Sequence, residues 1–336
     1  MSDKTYGLIG CGMMGIEHLL NVSRLEGARF GVVCDPLPDN AARAAGLAGG
    51  AAIAGSVAEL LALPGLDAVV ICSPNFCHVG QLEEIASIRP LPVLCEKPLY
   101  TRPGDAARIA AFSAAYKPPV WVAMEYRYMP PIEALIAEAG TVTGGVKMLT
   151  LREHRMPFLH KFGHWNRFNE NTGGTLVEKC CHFFDLMRLI IGSEPVRVAA
   201  SAGQMVNYFD ESYDGRTPDI WDGGYVVFDF ACGARAMLEL CMFADGTKWN
   251  EEISCAGPAG KIEARIPGPQ RFWPPHLGEP PVPELSVYPR NPKAPATRLL
   301  PVDPELAKIG DHHGSTFIQH AKFLEVVRGQ GRVEVT

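Results

Sequence analysis

Four short segments, far apart in the chain, carry residue types that could move a hydride and a proton together. They are a glycine-rich turn at residues 10–15, an aspartate at position 35, the tripeptide Glu96-Lys97-Pro98, and a helix candidate with Glu178 and His182. A dinucleotide site combined with an amine and a carboxylate–imidazole pair would suit oxidation of a secondary alcohol, or reduction of the matching ketone. Such chemistry requires elements that bring the segments together.

The glycine-rich turn has the spacing of a dinucleotide-binding loop. Gly10, Gly12 and Gly15 follow a strand candidate and open a helix candidate, so the backbone could approach a pyrophosphate at the helix N-terminus. Asp35 ends the second strand candidate about 20 residues later, where a carboxylate would accept hydrogen bonds from ribose hydroxyls. The glycine spacing alone is a weak signal, and this context strengthens it.

The same aspartate favours one dinucleotide over the other. A carboxylate at position 35 repels a 2′-phosphate, and residues 36–38 carry no arginine to neutralise one, although Arg43 follows nearby. NAD is therefore expected, with NADP as the less favoured alternative. The residues expected to contact the cofactor are Gly10, Gly12, Met13, Met14, Gly15, Asp35, Ser73, Pro74, Asn75, His78, Glu96 and Lys97.

Two of these segments follow strand candidates at the edge of the sheet where ligands of open α/β folds collect. Ser73-Pro74-Asn75 precedes His78, which could either contact the cofactor or cap the next helix. Lys97 follows the strand candidate at 92–95 and is fixed by Pro98. A partly desolvated lysine beside the nicotinamide would be suited to proton transfer, whereas the alternative is a surface lysine in a turn.

A second chemical group is expected on a helix that begins at Gly173-Gly174 and runs to about Ile191. Glu178, His182 and Asp185 are spaced four and three residues apart, which places them on one helical face. A glutamate one turn before the histidine would orient the imidazole and assist it as a general base. Cys180 and Cys181 cannot face one ion together with His182, and no second ligand cluster exists, so no metal site is expected.

Composition excludes several classes of protein. The chain has 336 residues, 47% of them hydrophobic, and a net charge of -6 without a basic stripe, so neither nucleic acid nor a membrane surface is an expected partner. Its apolar runs are shorter than the roughly 20 residues that span a bilayer, and its first residues lack a signal-peptide core. The ten cysteines do not form a disulfide framework, and a cytoplasmic location is expected.

The pattern of elements predicts two domains. Residues 1–125 alternate short β-branched runs with amphipathic stretches, which is typical of βαβ units in a doubly wound parallel sheet. Residues 126–336 contain longer strand candidates and predict an α+β domain with a mostly antiparallel sheet. Within 234–243, Ala236, Leu238 and Leu240 share one face, and the amphipathic other face suggests a second subunit. The proline-rich stretch 267–304 is expected to be a long ordered loop or lid.

These features resemble the Gfo/Idh/MocA family of oxidoreductases, which includes glucose-fructose oxidoreductase and inositol 2-dehydrogenase, over nearly the whole chain. The matching motifs are Gly10-x-Gly12-x-x-Gly15, Ser73-Pro74-Asn75 with His78, Glu96-Lys97-Pro98, the Gly173-Gly174 helix with Glu178 and His182, and Gly257-x-x-Gly260. The resemblance implies an N-terminal Rossmann domain, a C-terminal domain on a large open sheet, and a sugar, inositol or related polyol as substrate. It also implies that Lys97 and His182 bracket the reacting hydroxyl, with Glu178 where most members carry aspartate.

The resemblance leaves three functions open. A dehydrogenase is favoured, assembled as a homodimer or homotetramer through the C-terminal sheet. A glycosidase of the same family that oxidises its substrate transiently is one alternative, and a regulatory protein that binds NAD without turnover is another. Arg127, His164, Trp165 and Asn166 combine hydrogen-bond donors with a flat aromatic ring and are the candidates for substrate contacts, although an ordinary polar loop would explain each equally well.

Overall fold

The computed structural model describes residues 3–336, which form two compact units. The first unit contains the chain up to Glu125, residues 170–173 and residues 316–336, and the second contains residues 126–169 and 174–315. The first change of unit along the chain lies between Glu125 and Tyr126. The C-terminal residues differ from the prediction because they belong to the first unit.

The first unit is built on a parallel sheet of six strands. Its order is β3-β2-β1-β4-β5-β6, with helices between consecutive strands, which is the doubly wound arrangement that the sequence predicted. The strands are β1 Lys4–Ile9, β2 Ala28–Cys34, β3 Ala52–Ala54, β4 Ala68–Ile71, β5 Val93–Cys95 and β6 Val120–Val122. The helices between them are α1 Met13–Val22, α2 Pro38–Leu47, α3 Val57–Leu61, α4 His78–Ile88 and α5 Asp105–Ala115.

The C-terminal residues contribute to the core of this unit. Helix α11, Ser315–Val327, places Phe323 against Tyr6 and Trp121, with ring centroids 5.9 and 6.4 Å apart. The backbone N–H of Val122 donates to the carbonyl of Val335 at 3.1 Å. These contacts explain why the end of the chain belongs with the parallel sheet.

The second unit is built on an eight-stranded sheet of order β14-β13-β12-β11-β7-β10-β9-β8. Every neighbouring pair is antiparallel except β7 and β10, so the predicted mostly antiparallel sheet is confirmed. The strands are β7 Met148–His154, β8 Pro195–Gly203, β9 Gly223–Phe230, β10 Arg235–Cys241, β11 Glu251–Ala256, β12 Gly260–Ile266, β13 Glu284–Pro289 and β14 Ala296–Leu299. The helices are α6 Pro130–Thr143, α8 Thr175–Glu178, α9 Cys181–Ile191 and α10 Pro304–Ala307, and the short α7, Asn169–Thr172, crosses the boundary between the two sets of residues.

One face of this sheet is apolar and buried. Leu149 and Leu151 on β7 alternate with half-buried residues, and Ala236, Leu238 and Leu240 on β10 do the same, as the alternation in the sequence predicted. Helices α6 and α9 supply further side chains of the same hydrophobic cluster, which is therefore formed between helices and sheet.

The prediction of an irregular loop at 267–304 is wrong. This stretch contains β13, which pairs with β12, and β14, which pairs with β13. Its prolines precede the strands, follow them or, as with Pro289, end one. Prolines at strand ends remove few ladder hydrogen bonds, and a high proline content is therefore compatible with two strands at the edge of a sheet.

Candidate active site

The glycine-rich loop of the first unit has the backbone that a dinucleotide needs. Gly10 has a φ of +88°, and a Cβ there would lie 2.4 Å from the backbone nitrogen of Ser73. A Cβ on Gly15 would lie 2.1 Å from the carbonyl oxygen of Gly10, whereas one on Gly12 would meet no atom within 4 Å. Gly10 and Gly15 therefore permit the turn and the close packing of α1, and Gly12 leaves open space before the helix N-terminus.

Asp35 is tied to this loop directly. Its Oδ2 accepts a hydrogen bond from the backbone N–H of Cys11 at 2.7 Å, and its Oδ1 accepts one from Leu37 at 2.9 Å. The carboxylate thus links the end of β2 to the glycine loop. This cradle of glycines and carboxylate fits an adenine dinucleotide, and the contact of each residue with a cofactor stays a prediction.

Ser73 and His78 lie beyond the end of β4. The His78 ring is fully buried, with Nδ1 2.9 Å from the carbonyl oxygen of Pro98 and Nε2 3.1 Å from that of Ser73, and burial lowers its pKa. His78 begins α4 and ties the segment after β4 to the segment after β5, close in sequence to Lys97. These contacts give it a structural role, and its contact with a cofactor stays a prediction.

Glu96 is held by a buried histidine pair within the first unit. His18 Nε2 lies 2.8 Å from Glu96 Oε1, and His18 Nδ1 lies 2.8 Å from His320 Nε2. The side chains of His18 and His320 are fully buried, and burial together with the neighbouring His18 lowers the pKa of His320 well below its usual value. The residue before Lys97 is therefore fixed to α1 and α11.

The predicted helix with Glu178 and His182 is divided in two. Helix α8 ends at Glu178, α9 begins at Cys181, and Lys179 and Cys180 form a turn between them. The expectation of one continuous helical face is wrong, because the backbone N–H of Cys180 bonds to Thr175 rather than continuing the α-helical pattern. Both side chains are nonetheless buried, with Glu178 4% and His182 2% exposed.

Glu178 has a cationic neighbour, and His182 has an aromatic one. Lys161 Nζ lies 3.6 Å from Glu178 Oε1. The His182 imidazole stacks on the ring of Tyr126, with centroids 4.2 Å apart and an interplanar angle of 11°. Tyr126 comes from the short helical segment at 125–128, of which the sequence indicated Arg127 but not Tyr126.

Beneath this stack lies a buried cluster of charges. Lys179 Nζ donates to Tyr126 Oη and lies 2.8 Å from Glu153 Oε1. Burial lowers the pKa of Lys179, and burial together with the nearby Glu153 raises the pKa of Glu251 to about 7. Arg155 Nη1 lies 3.5 Å from the same Glu153 oxygen.

Sequence reasoning missed this cluster although a signal was present. Glu153 continues the buried alternation of Leu149 and Leu151 on β7, and Glu251 begins the buried alternation on β11. An acidic residue on the apolar face of a strand requires a partner, and Lys179 is a buried lysine candidate between Glu178 and the Cys180-Cys181 pair that leads into α9. The sequence alone could not show that Glu153 faces Glu251 or that Lys179 approaches Glu153, because both depend on tertiary structure.

The four residues predicted to contact substrate lie in the second unit, and each contacts a different protein group. Arg127 pairs with Asp185 through Nε at 2.6 Å, and Asn166, fully buried, donates to the carbonyl of Leu159 at 3.0 Å. His164 stacks on Tyr213 at 4.0 Å, and the ring of Trp165 lies 4.5 Å from Lys161 Nζ. Their contact with a substrate stays a prediction.

The second unit contains a cavity of about 430 Å³. It is lined in part by residues 156–160 and Arg167, which flank the segment that holds His164, Trp165 and Asn166. Its lining combines apolar side chains such as Met156 and Phe158 with polar ones, among them His160, Arg167 and Glu211. Arg167 is 2% exposed and pairs with Glu211 at 2.7 Å. The mixture of apolar walls and hydrogen-bonding groups is typical of small-molecule pockets.

Residues 3–336 hold neither a metal-binding cluster nor a membrane-spanning helix. No group of three or more His, Cys, Asp or Glu side chains in this range is arranged to hold a metal ion. None of the helices in the same range is both long and apolar enough to cross a membrane.

Comparison with known families assigns both halves of the chain. Residues 4–124 match the model of an oxidoreductase family described as an NAD-binding Rossmann fold. Residues 140–276 match the model of the C-terminal alpha/beta domain of the same family. The chain belongs to the Gfo/Idh/MocA family.

Three known proteins show the extent of the similarity. The rhizopine catabolism protein MocA of Rhizobium meliloti is 27% identical over 282 residues, 82% of this chain and 81% of MocA. Inositol 2-dehydrogenase of the same species is 28% identical over 264 residues, 77% of this chain and 74% of that enzyme. The structure of an Agrobacterium radiobacter oxidoreductase in complex with NAD+, L-tartaric acid and magnesium has a TM-score of 0.77 and 20% identity, covering 99% of this chain and 91% of that one.

Proposed function

We propose that the protein is an NAD-dependent dehydrogenase that oxidises a secondary hydroxyl of a cyclic sugar, an inositol or a related polyol, or reduces the matching ketone. What carries the proposal is the lysine after β5 and the buried histidine at the start of α9, in a chain similar to inositol 2-dehydrogenase. The glycine loop supports the cofactor, since Gly10 and Gly15 permit the tight turn into α1 and Gly12 leaves open space in which a pyrophosphate would lie. Asp35 favours NAD over NADP.

The cofactor, when bound, accepts or supplies the hydride. The chain's own groups handle the proton: an unprotonated imidazole nitrogen of His182 takes the hydroxyl proton as the alcohol is oxidised, and returns it in reduction. Lys97 donates a hydrogen bond through Nζ to the same oxygen. Glu178, paired with Lys161, orients the imidazole.

The burial of His182 and Glu178 supports these roles. Both side chains are at most 4% exposed, so the proton is held where competing water is scarce. Positioned proton transfer contributes about a hundredfold to ten-thousandfold in rate, and loss of His182 or Lys97 is expected to cost about that much.

The experiment is a substrate panel followed by NADH absorbance. Inositols, pentoses, hexoses and anhydro sugars are tested with NAD and NADP side by side, on the wild type and on Lys97→Met and His182→Gln. The matched control is Lys117→Met, an exposed lysine on the same unit. We expect turnover with NAD, loss of turnover in the two site variants, and unchanged NAD affinity in His182→Gln.

Two outcomes would replace the proposal. Hydrolysis of a glycoside without net change in NADH absorbance would favour the glycosidase of the same family. Binding of NAD without turnover of any compound, together with unchanged behaviour of Lys97→Met, would favour a regulatory protein.

A further inference from the structure

Two glutamates lie directly opposite each other on the buried face of the second unit's sheet. Glu153 on β7 and Glu251 on β11 are register partners of an antiparallel pair. They are 1% and 5% exposed, respectively. Like charges in facing positions repel, and burial strengthens the repulsion, so this pair requires a cation between or beside its members.

Lys179 supplies that cation. Its side chain is buried, and its Nζ lies 2.8 Å from Glu153 Oε1, with Arg155 Nη1 3.5 Å from the same oxygen. A buried ammonium group is retained only where it is paired and hydrogen-bonded, and Lys179 meets both conditions. Its backbone lies in the turn between α8 and α9, between Glu178 and His182 in the sequence.

Tyr126 connects Lys179 to the histidine. Its phenol oxygen accepts a hydrogen bond from Lys179 Nζ and lies 3.5 Å from Glu251 Oε1. One face of its ring stacks on His182 at 4.2 Å, and Phe183 meets it edge-on at 5.9 Å. The phenol is thus anchored at one end while the ring fixes the plane of the imidazole.

We propose that Lys179 is a positioning residue that holds the Tyr126 ring against the His182 imidazole and sets the pH at which this imidazole takes up its proton. The inference rests on the proposed function, which gives His182 the role of proton acceptor. Two effects oppose each other here. The face of the Tyr126 ring favours the imidazolium, whereas the ammonium of Lys179 disfavours it.

Several other charges bear on the same histidine. The charged and titratable groups of the surrounding elements are Glu178 with Lys161, Asp185 with Arg127, Glu153 with Arg155, and Glu251, Tyr126 and His312. Removing Lys179 alone leaves Glu153 with only Arg155, and the excess negative charge favours the imidazolium. Removing the charges of Lys179 and Glu153 together leaves the net charge of this buried cluster unchanged.

The test follows the titration of His182 by NMR in protein labelled with ¹³C at histidine Cε1. The signal is assigned by its loss in His182→Gln. We expect Lys179→Met to raise the titration midpoint of His182 by at least about half a pH unit, roughly threefold in the protonation constant. Lys179→Met combined with Glu153→Gln is expected to return the midpoint to within about 0.2 units of the wild type, since the net charge is restored.

Tyr126→Phe tests whether the hydrogen bond from Lys179 holds the Tyr126 ring against His182. It keeps every formal charge and the aromatic ring but removes the phenol that Lys179 anchors. We expect the ring-current shift of the His182 Hε1 proton to decrease, because the ring is no longer held in the stacked position. Lys322→Met, at a half-buried lysine paired with Glu334 in the first unit, is the control and should change neither the titration midpoint nor the ring-current shift of His182.

The results separate a positioning role from a structural one. A lower melting temperature in Lys179→Met with an unmoved midpoint, or an unchanged ring-current shift in Tyr126→Phe, would overturn the proposal. If Lys179→Met does not fold, the double variant and Tyr126→Phe decide by the same criteria. Because the titration needs no substrate, shifts without any dehydrogenase activity would refute the proposed function alone. Activity with an unmoved midpoint would refute the positioning role alone.

Discussion

His18 Nε2 lies 2.8 Å from Glu96 Oε1 in the interior of the first unit, and so joins α1 to the residue that precedes Lys97. His320 on α11 approaches the other ring nitrogen of His18. The two ring nitrogens of His18 therefore face a carboxylate on one side and a second imidazole on the other. The glycine loop's helix, the EKP tripeptide and the C-terminal helix thus share one hydrogen-bonded chain.

This chain predicts that the protein loses stability in mild acid. Burial lowers the pKa of His320 well below that of an unfolded histidine, near 6.5, so the unfolded state binds more protons below that pH. The stabilisation that the neutral, buried His320 provides is therefore present in full above pH 6.5 and is lost as the pH falls. His320→Gln should therefore lose less stability than the wild type between pH 7 and pH 5, measured by guanidinium unfolding. The exposed His276→Gln is the control, and an equal loss in all three proteins would contradict the prediction.

The opposite pH dependence is expected at Glu251. Its pKa is raised to about 7 by burial and by Glu153, so it contributes stability in full below the unfolded value of about 4.5. That contribution is lost as the pH rises through 7. The difference is on the order of 3 kcal/mol for an isolated group, and the neighbouring charges reduce it.

Glu251→Gln measures this effect. The glutamine imitates the protonated acid, so we expect the variant to gain stability over the wild type between pH 5 and pH 8. Urea unfolding at four pH values provides the comparison. Glu252→Gln, the next residue on the same strand with its side chain on the other face, is the matched control. A parallel pH dependence of Glu251→Gln and wild type would refute the prediction.

The glycine loop offers a pair of variants with different outcomes. Gly10→Ala should destabilise the first unit by about 2 to 4 kcal/mol, because its φ of +88° and the Ser73 backbone 2.4 Å away both exclude a Cβ. Gly12→Ala has open space around its Cβ and should fold normally while binding NAD more weakly. Thermal melting and NAD titration by fluorescence separate the two effects. Unimpaired NAD binding by Gly12→Ala would place the pyrophosphate elsewhere.

The outer face of the second sheet is predicted to join subunits. Tyr225 and Val227 on β9 are 53% and 41% exposed on the face opposite the buried cluster. Tyr225→Lys with Val227→Lys should lower the oligomeric state measured by sedimentation velocity. Val198→Lys, an exposed valine on the other face of the neighbouring strand, is the control. An unchanged sedimentation coefficient in the double variant would remove this face as an interface.

Local sequence was enough to determine the parallel sheet, the glycine loop and the buried face of β10. Each depends on signals within a few residues, such as a φ that only glycine adopts readily or a strict alternation of apolar side chains. The doubly wound parallel arrangement and the mostly antiparallel second sheet followed from these patterns, whereas the order of the six strands and the short β3 came from the structure. The strands at 284–289 and 296–299 did not follow from these patterns, because proline content indicates breaks but not the pairing of the segments between them.

Tertiary structure alone decided which charges surround His182. Glu153 and Glu251 are 98 residues apart in the numbering, and only their register as strand partners brings them together with Lys179. The break between α8 and α9 and the stack of Tyr126 on His182 likewise depend on packing rather than on local propensity. Sequence fixes which groups can ionise, whereas burial and long-range pairing set the free energy of each ionisation.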